Sequence, residues 1–161
     1  MWFSRSVFAA LSLSLVVLGN GCAGSDDLTL VVTDGFTPEE RADIESVAAE
    51  WQTHVGSRIT VRFGGEAEGH DWTVRLLPKG TDGALPSSRF EAYEDPNKPE
   101  IGIYGWKLRC SFRRTFMHEV GHALGLEHTA SGVMHPTDCL DNVGHLGEHD
   151  LATCRAAGVC R

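Results

Sequence analysis

The chain has 161 residues, 42% hydrophobic, 22% charged and 8% aromatic, a globular balance that excludes a disordered or fibrous protein. Lys and Arg total 14 against 22 Asp and Glu, a formal charge of −8, so there is no basic surplus to meet phosphates and nucleic acid is excluded as the main partner. Eight histidines and five cysteines are the unusual counts, and their positions carry the functional reading.

Arg5 is the one positive charge before an unbroken apolar or small run from Val7 to Leu18, which is followed by Gly19, Asn20, Gly21 and Cys22. A charged start, an apolar stretch and a small-residue end are the order of a secretory signal. The apolar run is too short for the roughly 20 residues a membrane-spanning helix needs. Residues 1–21 therefore read as a signal peptide and 22–161 as one exported domain. Leu18–Cys22 resembles the lipobox of bacterial lipoproteins, although the leucine sits one residue further from the cysteine than in that pattern. Cys22 is a candidate lipidated first residue that would anchor the chain to a membrane, with ordinary cleavage nearby as the alternative; the expected location is the cell envelope or the exterior. Without Cys22 the cysteines are Cys110, Cys139, Cys154 and Cys160, an even set that suits two disulfides in an oxidising compartment. Three pairings remain open. A four-cysteine zinc site is the competing reading, and it lacks the close cysteine pairs of such sites.

Leu28–Thr33 is a β-type run, broken by Asp34-Gly35. Thr37-Pro38-Glu39-Glu40 then carries a cap, a first-position proline and a capping box. The helix it opens runs to about His54, with Ile44, Val47, Ala48, Trp51 and Val55 on one face. Arg58–Phe63 and Asp71–Leu77 are two further strands. Pro78–Pro99 reads as a long functional loop, and Ile101–Tyr104 as a fourth, short strand. A helix over Ser111–Leu124, an irregular stretch to Leu146 and a helix over Gly147–Ala157 complete the chain. Strands gather early and helices late, an α+β pattern.

The second helix contains His118-Glu119-Val120-Gly121-His122, followed by Gly125 and His128. Histidines four apart on a helix project from one face, at the separation two ligands of a single metal need. Glu119 can reach a metal-bound water without being a ligand. Gly125 can end the helix in the left-handed conformation and return His128 as a third ligand. Three histidines and a water fill a tetrahedral catalytic zinc site with one position open to chemistry. Ser131-Gly132-Val133-Met134-His135-Pro136 places a methionine in a turn shortly after it.

HExxHxxGxxH followed by a methionine turn resembles the metzincin zinc endopeptidases, and HEVGHALGLEH with GVMHP is most similar to their matrixin branch. The resemblance implies a zincin-type α+β fold: a mixed twisted sheet with a long N-terminal helix, an active-site helix and a C-terminal helix. It implies that His118, His122 and His128 bind one zinc ion, that Glu119 is the general base, and that Met134 packs beneath the metal. It also implies a protein or peptide substrate added antiparallel to an edge strand, with Ile101–Tyr104 as the candidate edge and a plain core strand as the alternative. Thr137–Leu146 takes the place of the specificity loop.

Animal members of that family carry a blocking cysteine ahead of the domain; Cys22 lies too close to the first strand to serve so. Pro78–Pro99 has no histidine, so a second zinc is not expected. Asp82, Glu91, Glu94 and Asp95 there are candidate calcium ligands or a solvated acidic loop. His54, His70, His145 and His149 read as surface or packing residues, His135 is open to a supporting role at the site, and Arg113 and Arg114 are expected on the exposed face of their helix. The expected protein is a monomeric exported zinc endopeptidase. A zinc-containing binding module without turnover and an amidase acting on cell-wall peptides are the alternatives.

Overall fold

The computed structural model describes residues 27–79, 99–105, 108, 110–136 and 144–161, together with the backbone of 92–94. Residues 1–26 with Cys22, Asp82, Glu91, Asp95, Trp106, Cys139 and 137–143 lie outside the described residues, as does the side chain of Glu94.

The elements follow one another as β1 (Leu28–Val32), α1 (Pro38–Gln52), β2 (Ile59–Phe63), β3 (Trp72–Leu76), β4 (Ala92–Glu94), β5 (Glu100–Ile103), α2 (Phe112–Ala123) and α3 (Glu148–Ala156). The strands form one sheet in the order β2-β1-β3-β5-β4. Its first four strands are parallel and β4 runs antiparallel to β5. A parallel strand flanked on both sides is buried on both faces and reads as a near-continuous apolar run. That is the situation of Leu30, Val31 and Val32 in β1, each at most 1% exposed. Among the described strands β2 has one neighbour, and its residues alternate between half-buried and exposed.

α1 is the crossover that a parallel β1–β2 pair requires. Its start is the capping box read from the sequence: the Thr37 hydroxyl accepts from Glu40 N at 3.2 Å and Glu40 Oε2 accepts from Thr37 N at 2.8 Å. Ile44, Val47, Ala48 and Trp51 are the buried residues of α1. The core lies where the sheet side chains Leu30, Val32, Val74, Ile101 and Ile103 meet α1 and the Phe112, Phe116, Met117 and Val120 face of α2. Trp51 Nε1 donates to Met117 O at 3.2 Å, so the buried indole spends its polar atom on α2. This contact sets one helix against the other.

Two expectations need correction. Pro78–Pro99 is not wholly loop, because β4 lies within it. Ile101–Tyr104 is also not an edge of the sheet: β5 pairs with both β3 and β4, its four residues are buried, and β4 is the terminal described strand on that side. The core-strand alternative is the one that holds. At the far end, Cys154–Cys160 is a disulfide, and Cys110 is disulfide-bonded to a partner outside the described residues. Cys160 also bridges to Val55, and Arg161 N donates to His54 O at 2.9 Å, which pins the C-terminus to the end of α1.

Candidate metal centre

α2 starts at Ser111, whose hydroxyl accepts from Arg114 N at 3.2 Å. Its buried face is crowded at Gly121. A Cβ there would lie 2.4 Å from Met134 Sδ and 3.4 Å from the Trp51 ring. Glycine at 121 is what lets the buried Met134 press against the helix between the two histidines. After Ala123 the chain turns at Gly125, where φ is +90° and no atom would touch an added Cβ. The constraint at 125 is thus the backbone angle and not space. Gly125 N donates to His122 O at 2.8 Å and Leu126 N to Gly121 O at 2.9 Å, closing the helix end and sending His128 back toward α2.

His118, His122 and His128 converge as the sequence predicts. His118 Nδ1 lies 2.8 Å from Val133 O and His122 Nδ1 lies 2.8 Å from Leu126 O. A carbonyl only accepts, so each Nδ1 carries the proton and each Nε2 of the neutral ring presents a lone pair. The Nε2 atoms of His118 and His122 are 3.0 Å apart, and those of His122 and His128 are 3.2 Å apart. Two facing lone pairs cannot hydrogen-bond to each other, whereas both can point at one cation. Zinc–nitrogen bonds of about 2.0–2.1 Å in tetrahedral geometry put neighbouring donors about 3.3–3.4 Å apart. The donor set and its spacing fit a single zinc ion.

Burial pushes the His118 pKa down to about 4; the Val133 carbonyl opposes this, and the charges of His122, Arg114 and His128 add to it. His128 is also held below the ordinary imidazole value, by burial first and then by His122 and His135. Both rings are therefore neutral near pH 7, which is the ligand form. Glu119 follows His118 and is 6% exposed. A cavity of about 500 Å³, lined by His122, Gly125, Leu126, Glu127 and His128, opens beside the triad.

His135 is half-buried and close enough to act electrostatically on His128, but it is not among the three convergent rings. Arg113 and Arg114 are not on an exposed face. The Arg113 side chain is 15% exposed and pairs with Glu50 of α1 at 2.5 Å. Arg114 is 7% exposed and donates to Gly132 O at 2.8 Å. The sequence reading also missed Asp150, 6% exposed, whose Oδ1 accepts from Val133 N at 2.6 Å and whose Oδ2 accepts from Gly147 N at 2.9 Å. The spacing Gly147-x-x-Asp150 at a helix start was the available signal.

Among solved structures, the chain is similar to archaemetzincin from Methanopyrus kandleri: 14% identity over 83% of this chain and 96% of that one, with a TM-score of 0.53. The fold is zincin-like. Two structures of myroilysin align at 23% identity, over 63% and 65% of this chain, with TM-scores of 0.42 and 0.43. The chain spans about half the length of those myroilysin chains, 49% and 44%. No family model and no curated protein matches the chain.

Proposed function

We propose that the protein is an exported zinc-dependent endopeptidase of the metzincin type, with matrixin-like features. The observation that carries this reading is the convergence of three Nε2 lone pairs, two of them fixed by carbonyls on Nδ1, beside a buried glutamate. In support, the fold is shared with a protein whose name places it among the metzincins, the family that positions 118–134 resemble. His118, His122 and His128 would hold the ion, which when bound would supply Lewis acidity and make a water more acidic. Glu119 takes the proton from the attacking water and delivers it to the leaving amine. Met134, seated against Gly121, supports the helix from below and takes no part in proton transfer. With β5 interior, β4 is the terminal described strand on the side that leads to α2, and the substrate strand is assigned to it.

Export rests on the sequence of residues 1–21, with Cys22 as the candidate lipid anchor. Among the described residues no helix is long and apolar enough to cross a membrane.

The test is cleavage of an unbiased peptide mixture by the purified protein, read by mass spectrometry, beside Glu119→Ala and a chelated sample. Cuts should appear for the wild type and fall by about 10²–10⁴ without the general base. A metal-loaded wild type that cuts nothing, or an unaffected Glu119→Ala variant, defeats the reading.

A further inference from the structure

We propose that Arg114 is a positioning residue for the first metal ligand: it fixes the Gly132–Val133 turn whose carbonyl orients His118. The inference rests on the metal-centre reading given above.

Arg114 stands four residues before His118 on α2, so the two side chains leave the same face one turn apart. They grip successive carbonyls of one turn. Arg114 Nη2 donates to Gly132 O at 2.8 Å, and His118 Nδ1 donates to Val133 O at 2.8 Å. From the other side Asp150 accepts Val133 N at 2.6 Å. A buried cation and a buried anion thus meet at Gly132, where φ is +80° and a Cβ would lie 2.2 Å from Asp150 Oδ1. Burying a guanidinium is costly, and an apolar side chain of similar length would fill the space at lower cost. What that side chain could not do is hold Gly132 O. Without this contact the Gly132–Val133 peptide keeps Asp150 on Val133 N and the longer His135 N–H contact to Gly132 O at 3.2 Å, so the Val133 carbonyl is less firmly placed and the His118 lone pair loses part of its fixed direction. A partner that orients a ligand through its other ring nitrogen governs metal affinity in this way.

The experiment is titration of the purified, metal-stripped protein with Zn²⁺ and Co²⁺, recording the visible spectrum of bound Co²⁺ and the melting temperature. Arg114→Met, Arg114→Lys and Arg113→Met are compared with wild type. Arg113 serves as the control because its donors go to Glu50 and Gly144, away from the turn. Arg114→Met should weaken metal binding by about 10–100-fold and alter the Co²⁺ spectrum. Arg114→Lys, which keeps a cationic donor, should recover most of the affinity. Arg113→Met should lower the melting temperature and leave affinity near wild type.

Unchanged affinity in Arg114→Met overturns the proposal, and so does an Arg113→Met variant that loses affinity in step with its stability. Should the methionine variant not fold, Arg114→Gln carries the same two outcomes, since it is neutral and too short to reach Gly132 O. A wild type that binds neither metal sinks the metal-centre reading itself; normal wild-type binding with an indifferent Arg114 sinks only this inference.

Discussion

His118 and His128 are both held below the ordinary imidazole value by burial first, and at His118 the shift is large. The His118 pKa falls to about 4, through burial first and then through the charges of His122, Arg114 and His128, against the opposing Val133 carbonyl. An unfolded histidine titrates near 6.5. Between these values the unfolded chain binds more protons than the folded one, so the metal-free protein loses stability as pH falls from about 6.5 toward about 4. Melts of metal-stripped protein across that range check this, and a flat profile contradicts it. Residue placements were legible where a side chain has a distinctive chemistry and a fixed spacing, as in the convergence of His118, His122 and His128. They were not legible at Arg114 and Asp150, because a charged side chain read alone defaults to the surface. Their partners, Gly132 O and Val133 N, are backbone atoms 17 or 18 residues away that carry no signature of their own.

The helices are held together by contacts that neither helix announces. Glu50 near the end of α1 accepts from Arg113 Nη2, contacts His145 Nδ1 at 2.9 Å, and accepts from Leu146 N at 2.7 Å, while Arg113 Nε donates to Gly144 O at 2.8 Å. One carboxylate thereby ties α1 to α2 and to the chain entering α3. Burial raises the Glu50 pKa, and the Leu146 N–H, His145 and Arg113 outweigh it and hold the group below the usual carboxylate value. Glu50→Ala leaves a largely buried guanidinium and an amide without their acceptor, which should cost about 1–3 kcal/mol. Denaturant unfolding of the variant measures it; a change within about 0.5 kcal/mol, typical of a surface site, contradicts the clamp. The starts of α1 and α2 could be read in advance because caps are local: Thr37 and Ser111 bond within three residues of themselves. β4 could not, because three residues amid prolines become a strand only by pairing with β5.

For the whole molecule, the order of strand, helix, strands, helix, helix was legible from local punctuation and periodicity, and it agrees with the zincin-like fold. The sheet order was not, since β1 reaches its neighbours across 31 and 42 residues in the register Leu30↔Val61 and Leu30↔Trp72, and those pairings leave no mark in either segment. The architecture has a clear consequence for the site. β5 precedes α2 in the chain, α2 carries two of the convergent histidines, the Gly125 turn brings back the third, and the Met134 turn closes against Gly121. The central claim is that this assembly exists to hold one ion with three imidazoles. X-ray absorption at the zinc edge on the purified protein tests it most directly. The account predicts one zinc per chain with three imidazole nitrogens at about 2.0–2.1 Å and one further light ligand, lost in His122→Ala. No stoichiometric zinc, or sulfur ligands at about 2.3 Å, would contradict it.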